Sequence, residues 1–433
     1  MAIHSRGRHT IRNLATVLPA IMFLAACTMA AMLMSCCRHR WYLDGCTAEL
    51  EPSGEIPDIR VRITREPVSK AVISSTDLCQ VMVDYGKTAR TAERISNLQV
   101  RKTGQAIWML GSKRIDGQIL LFQSTVPGGR IRHAGRDYRG DILLVPDGNS
   151  QRFFVHNHVD LESYIASVVA CELYSHFHIQ AYLAQAVAAR TYAVYEMSTW
   201  GKRHSFDVWN SVRSQVYKGS GAETEKSRKA ALMTKGWVLA YGPPGDEKIF
   251  LAQFSSCNGG HVNPAKILRE ISNPIAPLEG GQKDNDSLNS GCSRATWKPV
   301  VISKQAIYRA LASRYKKIRQ LGSLMTIEVS EYTSYGRPVW LSLAGPGGRH
   351  QSLRAEDLRL ALLESGIPAA GTLYSMNCRI RDTGKNIEFY DGKGFGHGVG
   401  MSQWGAQKKA VGGQSAEEIL KFYYPGARIF RAY

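Results

Sequence analysis

Acidic residues are the scarce charge in this chain: 36 Asp+Glu face 55 Lys+Arg, a formal charge of +19. That excess favours anionic partners, whether nucleic acid, a phospholipid surface or an acidic wall polymer, and does not choose among them. The chain also lacks an RNP-type motif, zinc-finger spacing and a helix-turn-helix signature, so nucleic acid is set aside as a partner. No internal repeat or low-complexity tract interrupts it. Cysteine is sparse, nine in 433 residues. Cys27, Cys36 and Cys37 lie in or beside an apolar N-terminal stretch. The remaining Cys46, Cys79, Cys171, Cys257, Cys292 and Cys378 are too few for a disulfide scaffold, though one or two bridges fit an oxidising compartment. What is plentiful is apolar sequence, 44% of the residues, enough for two or three domains with real cores.

Residues 1–40 read as a basic segment and membrane anchor or signal. Arg6, Arg8 and Arg12 precede 21 uncharged residues, Leu14 to Met34, and Arg38, His39 and Arg40 follow. A bilayer span needs about 20 apolar residues, whereas a cleavable signal has a shorter apolar region. The box Leu24-Ala-Ala-Cys27 is also where a lipoprotein would be cut, yet apolar sequence continues past it. An uncleaved signal anchor, with a lipid anchor as the alternative, puts the rest of the chain on the extracytoplasmic (periplasmic) side of the membrane.

Residues 41–159 read as a β-rich region. Ile59 to Ile63 alternates apolar residues with Arg, and 119–122, 142–145 and 153–155 are further strand candidates between Gly/Pro turns. Residues 60–140 hold 15 Lys+Arg against 6 Asp+Glu, a solvated basic face or a polymer-binding surface. Helical periodicity then appears over 161–173, 179–197 and 224–234, and a strand over 237–241. Residues 273–296 read as a loop insertion, 303–339 as a helix and then a strand, and 358–363 and 416–423 as helices. The fold class is α+β: a β-rich N-terminal region, a helical catalytic segment and a mixed C-terminal region, forming one glycan-binding cleft, with residues 160–433 as the catalytic region.

Four constellations could carry chemistry. Glu172 ends an apolar helical run behind Val168 and Val169; a carboxyl against apolar walls stays protonated and can act as a general acid, though a solvent-facing Glu at a helix end is the plainer reading. Gln185 and Arg190 sit among alanines that let a partner approach the helix, so either could donate to a sugar or carboxylate. Cys257 and His261 flank two glycines and could share a metal such as zinc; alternatively Cys257 pairs with Cys292 as a disulfide. In Gly394-Phe-Gly-His-Gly-Val-Gly-Met-Ser-Gln-Trp-Gly405 the glycines allow close backbone approach. His397, Gln403 and Trp404 there are residue types a carbohydrate site uses, and no Gly-Lys-Ser/Thr follows to make a phosphate loop.

Six segments taken in order resemble one family. They are Ser167-Val-Val-Ala-Cys-Glu-Leu173, Ala184 to Ala193, Ser214-Gln-Val-Tyr-Lys-Gly219, Phe254 to Gly260, Gly394 to Gln407, and Glu417 to Gly426. Together they look like the SpoIID/LytB family, the group of stage II sporulation protein D and the amidase enhancers. The resemblance implies a peptidoglycan lytic transglycosylase, a lyase that cleaves the MurNAc–GlcNAc backbone and leaves 1,6-anhydro-MurNAc ends. It implies Glu172 as the acid and Arg190 as a functional residue; Gln185, Tyr217, His397, Gln403 and Trp404 are the expected substrate contacts. It also matches Cys257 and His261 to positions where some members hold zinc. Implied partners are peptidoglycan glycan strands, the membrane through the N-terminal segment and, on the alternative reading, a cell-wall amidase that a non-catalytic wall-binding protein would enhance. The family's Glu-Met-Pro turn is Glu172-Leu173-Tyr174 here, so a softer helix break is expected. The loop at 273–296 departs from the family too.

Overall fold

A computed structural model describes residues 55–268 and 275–433. The apolar run of residues 14–34 and Cys27, Cys36, Cys37 and Cys46 lie outside the described residues.

The α+β class holds, and its first part is one large sheet. Strands β1 (Asp58–Arg62), β2 (Lys70–Val83), β3 (Lys87–Gly104), β4 (Ile107–Leu110), β5 (Lys113–Asp116) and β6 (Leu120–Ser124) are followed by β7 (Arg130–His133) and β8 (Arg136–Arg139). Then come β9 (Asp141–Pro146), β10 (Phe153–Asp160) and, after two helices, β11 (Val208–Trp209). They line up as β11-β1-β10-β9-β6-β2-β3-β4-β5, with β7 and β8 as a hairpin beside β2. The period-2 pattern is realised in β1, where Ile59 and Val61 are buried while Arg60 turns to Asp207. The pairing of β2 with β3, broken by register shifts, went unread in the sequence. Their Ser, Thr, Gln and Arg content hides a strand signal that rests on β pairing rather than on apolar runs.

Helix α1 (Leu161–Glu172) leaves β10 directly. Asp160 caps it, its Oδ1 accepting from the Ser163 N–H at 2.8 Å, and Leu161, Tyr164, Ile165, Val168 and Val169 are buried beneath it. The helix stops at Glu172 without a proline. Leu173 takes an extended conformation (φ −111°, ψ 149°) and is buried, so an apolar anchor replaces the expected softer break. Helix α2 (Ile179–Ser198) is alanine-rich because it is packed on nearly every side, from Ala181 to Ala193. A small residue there lets α1 and α3 (Glu225–Met233) lie close to its backbone.

Two cores follow. One gathers Ala181, Ala184, Val187 and Ala188 of α2 with Leu239, Val399, Met401, Ala406, Ile419, Leu420, Tyr423 and Tyr424, which ties the C-terminal helices to α2. The other lies within residues 300–389, among Ile307, Leu311, Leu341, Leu358, Leu362 and Phe389. The segment read as a loop insertion contains two short helical turns, Ala276–Leu278 and Asn285–Leu288. The glycine-rich segment runs into a helix, Gln403–Val411; the Ser402 hydroxyl caps it, accepting from the Gly405 N–H at 3.1 Å.

Candidate active site

The end of α1 and the start of the helix Gln403–Val411 meet at one carboxyl. Glu172 is half-buried; its Oε1 accepts from the Val216 N–H and its Oε2 from the Gln403 amide, each at 3.0 Å. Burial raises its pKa, against the two donors, which favour the ionised form. Burial thus favours the protonated form of this carboxyl, and two donors are in place for its anion. No carboxylate contributes to this shift among the described residues.

The glycine loop is what delivers Gln403. Phe254 and Ser255 pair in parallel with Met401 and Ser402, the Gly398 N–H donates to the Ser255 hydroxyl at 3.1 Å, and the Trp404 N–H donates to the Ser256 carbonyl at 3.0 Å. Gly400 is in the left-handed region (φ 65°), and a Cβ on it would lie 1.9 Å from the Gln253 carbonyl oxygen. Only glycine lets these two segments approach so closely.

Other residues expected at the site are elsewhere. Arg190 is fully buried, and its guanidinium forms a bidentate pair with Glu162: Nε to Oε1 at 3.0 Å and Nη2 to Oε2 at 2.6 Å. It also donates to the Trp237 carbonyl at 3.1 Å. Glu162 lies in the first turn of α1, ten residues and about 15 Å of helix from Glu172. Arg190 therefore holds α1 in place through Glu162, and the hydrogen bonds of its guanidinium go to Glu162 and Trp237 rather than to Glu172. Tyr217 is a core residue, 2% exposed, donating to Asn157 Oδ1 at 2.6 Å. It is not available to a sugar. Gln185 is fully buried on α2, so it does not offer its amide to a ligand at the surface.

His397 is a tie within the loop. Its Nδ1 accepts from the Val399 N–H at 3.0 Å, and a hydrogen bond joins the ring to the Phe254 backbone. Burial lowers its pKa to about 4, so the ring is neutral at ordinary pH. The ring thus ties the glycine loop to the Phe254 strand. Gln403 bonds the catalytic candidate, and Trp404, beside it, is half-buried.

The residues that could share a metal do not assemble. His261 stacks on Tyr335, ring centroids 4.5 Å apart and planes within 5°. Among the described residues no group of three or more His, Cys, Asp or Glu is close enough to hold an ion. A structural zinc site needs four ligands, so Cys257 and His261 do not fit one. Cys257 and Cys292 are both free and buried, and their thiols are hydrogen-bonded to each other. That bond pushes the Cys257 pKa up and the Cys292 pKa down. Protein made in an oxidising compartment is expected to give a Cys257–Cys292 crosslinked peptide in a non-reducing digest. Stoichiometric zinc lost on Cys257→Ser would contradict this.

Sequence reasoning missed Glu162, which also accepts from the Gly236 N–H at 3.1 Å and the Tyr433 hydroxyl at 2.6 Å, and it missed the Val216 N–H. No local pattern marks either, since their partners are far away in the chain.

Residues 149–241 match the family model described as SpoIID, stage II sporulation protein. An uncharacterized protein of Brachyspira hyodysenteriae is 28% identical over 302 residues, 68% of this chain and 73% of that protein. Stage II sporulation protein D of Bacillus amyloliquefaciens is 27% identical over 328 residues, 71% of this chain and 86% of that one. The amidase enhancer of Bacillus subtilis is 26% identical over 252 residues, 51% of this chain; the match spans only 35% of the enhancer.

Proposed function

We propose, for a chain that belongs to the stage II sporulation protein D family, that it cuts peptidoglycan glycan strands as a lytic transglycosylase with Glu172 as acid and then base. The observation that carries this reading is the setting of Glu172: burial raises its pKa, and the Val216 N–H and the Gln403 amide are in place for its anion. Hydrolysis of a glycoside normally uses a pair of carboxyl groups. A transglycosylase needs one, because the substrate supplies its own nucleophile.

In the proposed reaction Glu172 gives its proton to the glycosidic oxygen as the bond from that oxygen to the muramic C1 breaks. The C6 hydroxyl of the same muramic residue closes onto C1, and its proton goes to the Glu172 carboxylate. The acid is regenerated and no water is consumed. The Val216 N–H and the Gln403 amide stabilise the carboxylate between the two transfers. Peptidoglycan lies outside the cytoplasm, so the reading requires the described residues to be there, held by the basic and apolar residues 1–40 as anchor.

The pH profile tests the acid. Protonated Glu172 is the competent form of the free enzyme, so kcat/KM for glycan strands should hold at acidic pH and fall as pH rises through its raised pKa. Stability has the same sign. A carboxyl whose folded pKa is raised costs the folded state its ionisation, so wild-type stability falls from the ordinary carboxylate range upward until that pKa is passed. Glu172→Gln should therefore gain Tm relative to wild type over that window. A profile that rises with pH, with no relative gain for the variant, would remove Glu172 as the acid.

A further inference from the structure

Immediately past Glu172 the chain presents aromatic side chains that the reaction above leaves unused. Tyr174 is 51% exposed and His176 is exposed as well. Tyr174 packs against Trp404 with ring centroids 5.4 Å apart, and His176 lies 5.7 Å from Tyr174 and 6.0 Å from Trp404. Phe177, fully buried, meets Trp404 edge-on at 4.9 Å and supports the group from below. These rings come from two segments some 230 positions apart, and both segments touch the carboxyl. Gln403, the neighbour of Trp404, bonds Glu172, and Tyr174 is two residues from it, at most about 7 Å along the backbone.

The turn that carries the rings is fastened from behind. The Tyr182 hydroxyl donates to the Tyr174 carbonyl at 3.1 Å. Lys226 donates to the Ser175 and Phe177 carbonyls at 2.6 and 2.9 Å, and the His178 N–H donates to the Gln407 side chain at 2.6 Å. An exposed aromatic surface on a fixed backbone loses little entropy when a ligand covers it.

The geometry points to a saccharide subsite: Tyr174, His176 and Trp404 form a wall against which the apolar face of one pyranose ring of the strand stacks, beside the bond offered to Glu172. An aromatic face suits the C–H face of a β-linked sugar, and the Tyr174 hydroxyl and the His176 ring add polar edges for its substituents. The subsite rests on the glycan-cleaving function proposed above, and it gives Tyr174 a specific part: setting affinity for the sugar chain rather than the rate of proton transfer.

The test uses the Glu172→Gln protein, so that no strand is consumed, with purified glycan strands freed of stem peptides as the probe. Adding Tyr174→Ala should weaken strand binding about tenfold, and Tyr174→Phe should recover most of it. With Glu172 intact, Tyr174→Ala should raise KM while leaving kcat within about threefold, since uniform binding is what is removed. Unfolding midpoints of the Tyr174 variants should match their parents, because the side chain is exposed. Strands bound equally well with and without the Tyr174 ring would overturn the subsite and leave the enzyme reading standing. Strands bound by none of the proteins, with no cleavage by the wild type, would overturn both.

Discussion

Glu172→Gln is expected to leave the fold intact and abolish glycan cleavage. The amide is nearly isosteric, and its oxygen still accepts from the Val216 N–H, so strand binding should persist. What disappears is the proton and the group that takes it back. General acid–base catalysis is worth roughly 10²–10⁴ in rate, and here one residue performs both transfers, so the loss belongs at the upper end. Cleavage is followed by release of soluble muropeptides from purified peptidoglycan. Residual activity above about a tenth of wild type would mean that the acid is elsewhere.

The second large effect belongs to Arg190, and it falls on stability before activity. Its guanidinium is buried among Glu162, Thr234, Ala231 and Trp237, with the Glu162 side chain 13% exposed. Removing one member of such a pair strands the other, at a cost of about 3–5 kcal/mol. Arg190→Met should therefore lower the denaturant midpoint steeply, and Arg190→Lys should lower it too, because an ammonium cannot reproduce the bidentate fork. Coupling Arg190→Met with Glu162→Gln should recover part of the loss, since no uncompensated charge is then buried. An Arg190→Met protein that unfolds at the wild-type midpoint yet fails to cut strands would return Arg190 to the chemistry.

The two residues show what the sequence made legible and what it hid. Periodicity located α1 and α2 within a residue or two, because the apolar spacing of Leu161, Ile165, Val168 and Val169 is a local property of a packed helix. It placed Glu172 at a helix end. It could not say that Arg190 points to the other end of α1, because a pair 28 residues apart leaves no mark on either local pattern. Gln403 shows the same limit from the other side: its residue type suggested a sugar contact, but its partner is Glu172, 231 positions away. Tyr217 and His397 sit in motifs, and a motif contains residues that hold the site as readily as residues that touch a substrate. Tyr174, by contrast, stood out as a departure from the expected turn, and it is the residue the structure leaves exposed beside the carboxyl.

The central claim is that one carboxyl drives an intramolecular closure without water, and the product reports on this directly. Purified peptidoglycan digested by the wild-type protein and by Glu172→Gln, with the fragments weighed by mass spectrometry, decides it. The account predicts muropeptides ending in 1,6-anhydro-MurNAc from the wild type and none from the variant. Reducing muramic ends, each heavier by one water, would show a hydrolase with a second catalytic group. Unchanged strands with the wild type, together with stimulation of an added amidase, would make the chain a binding protein and contradict the account.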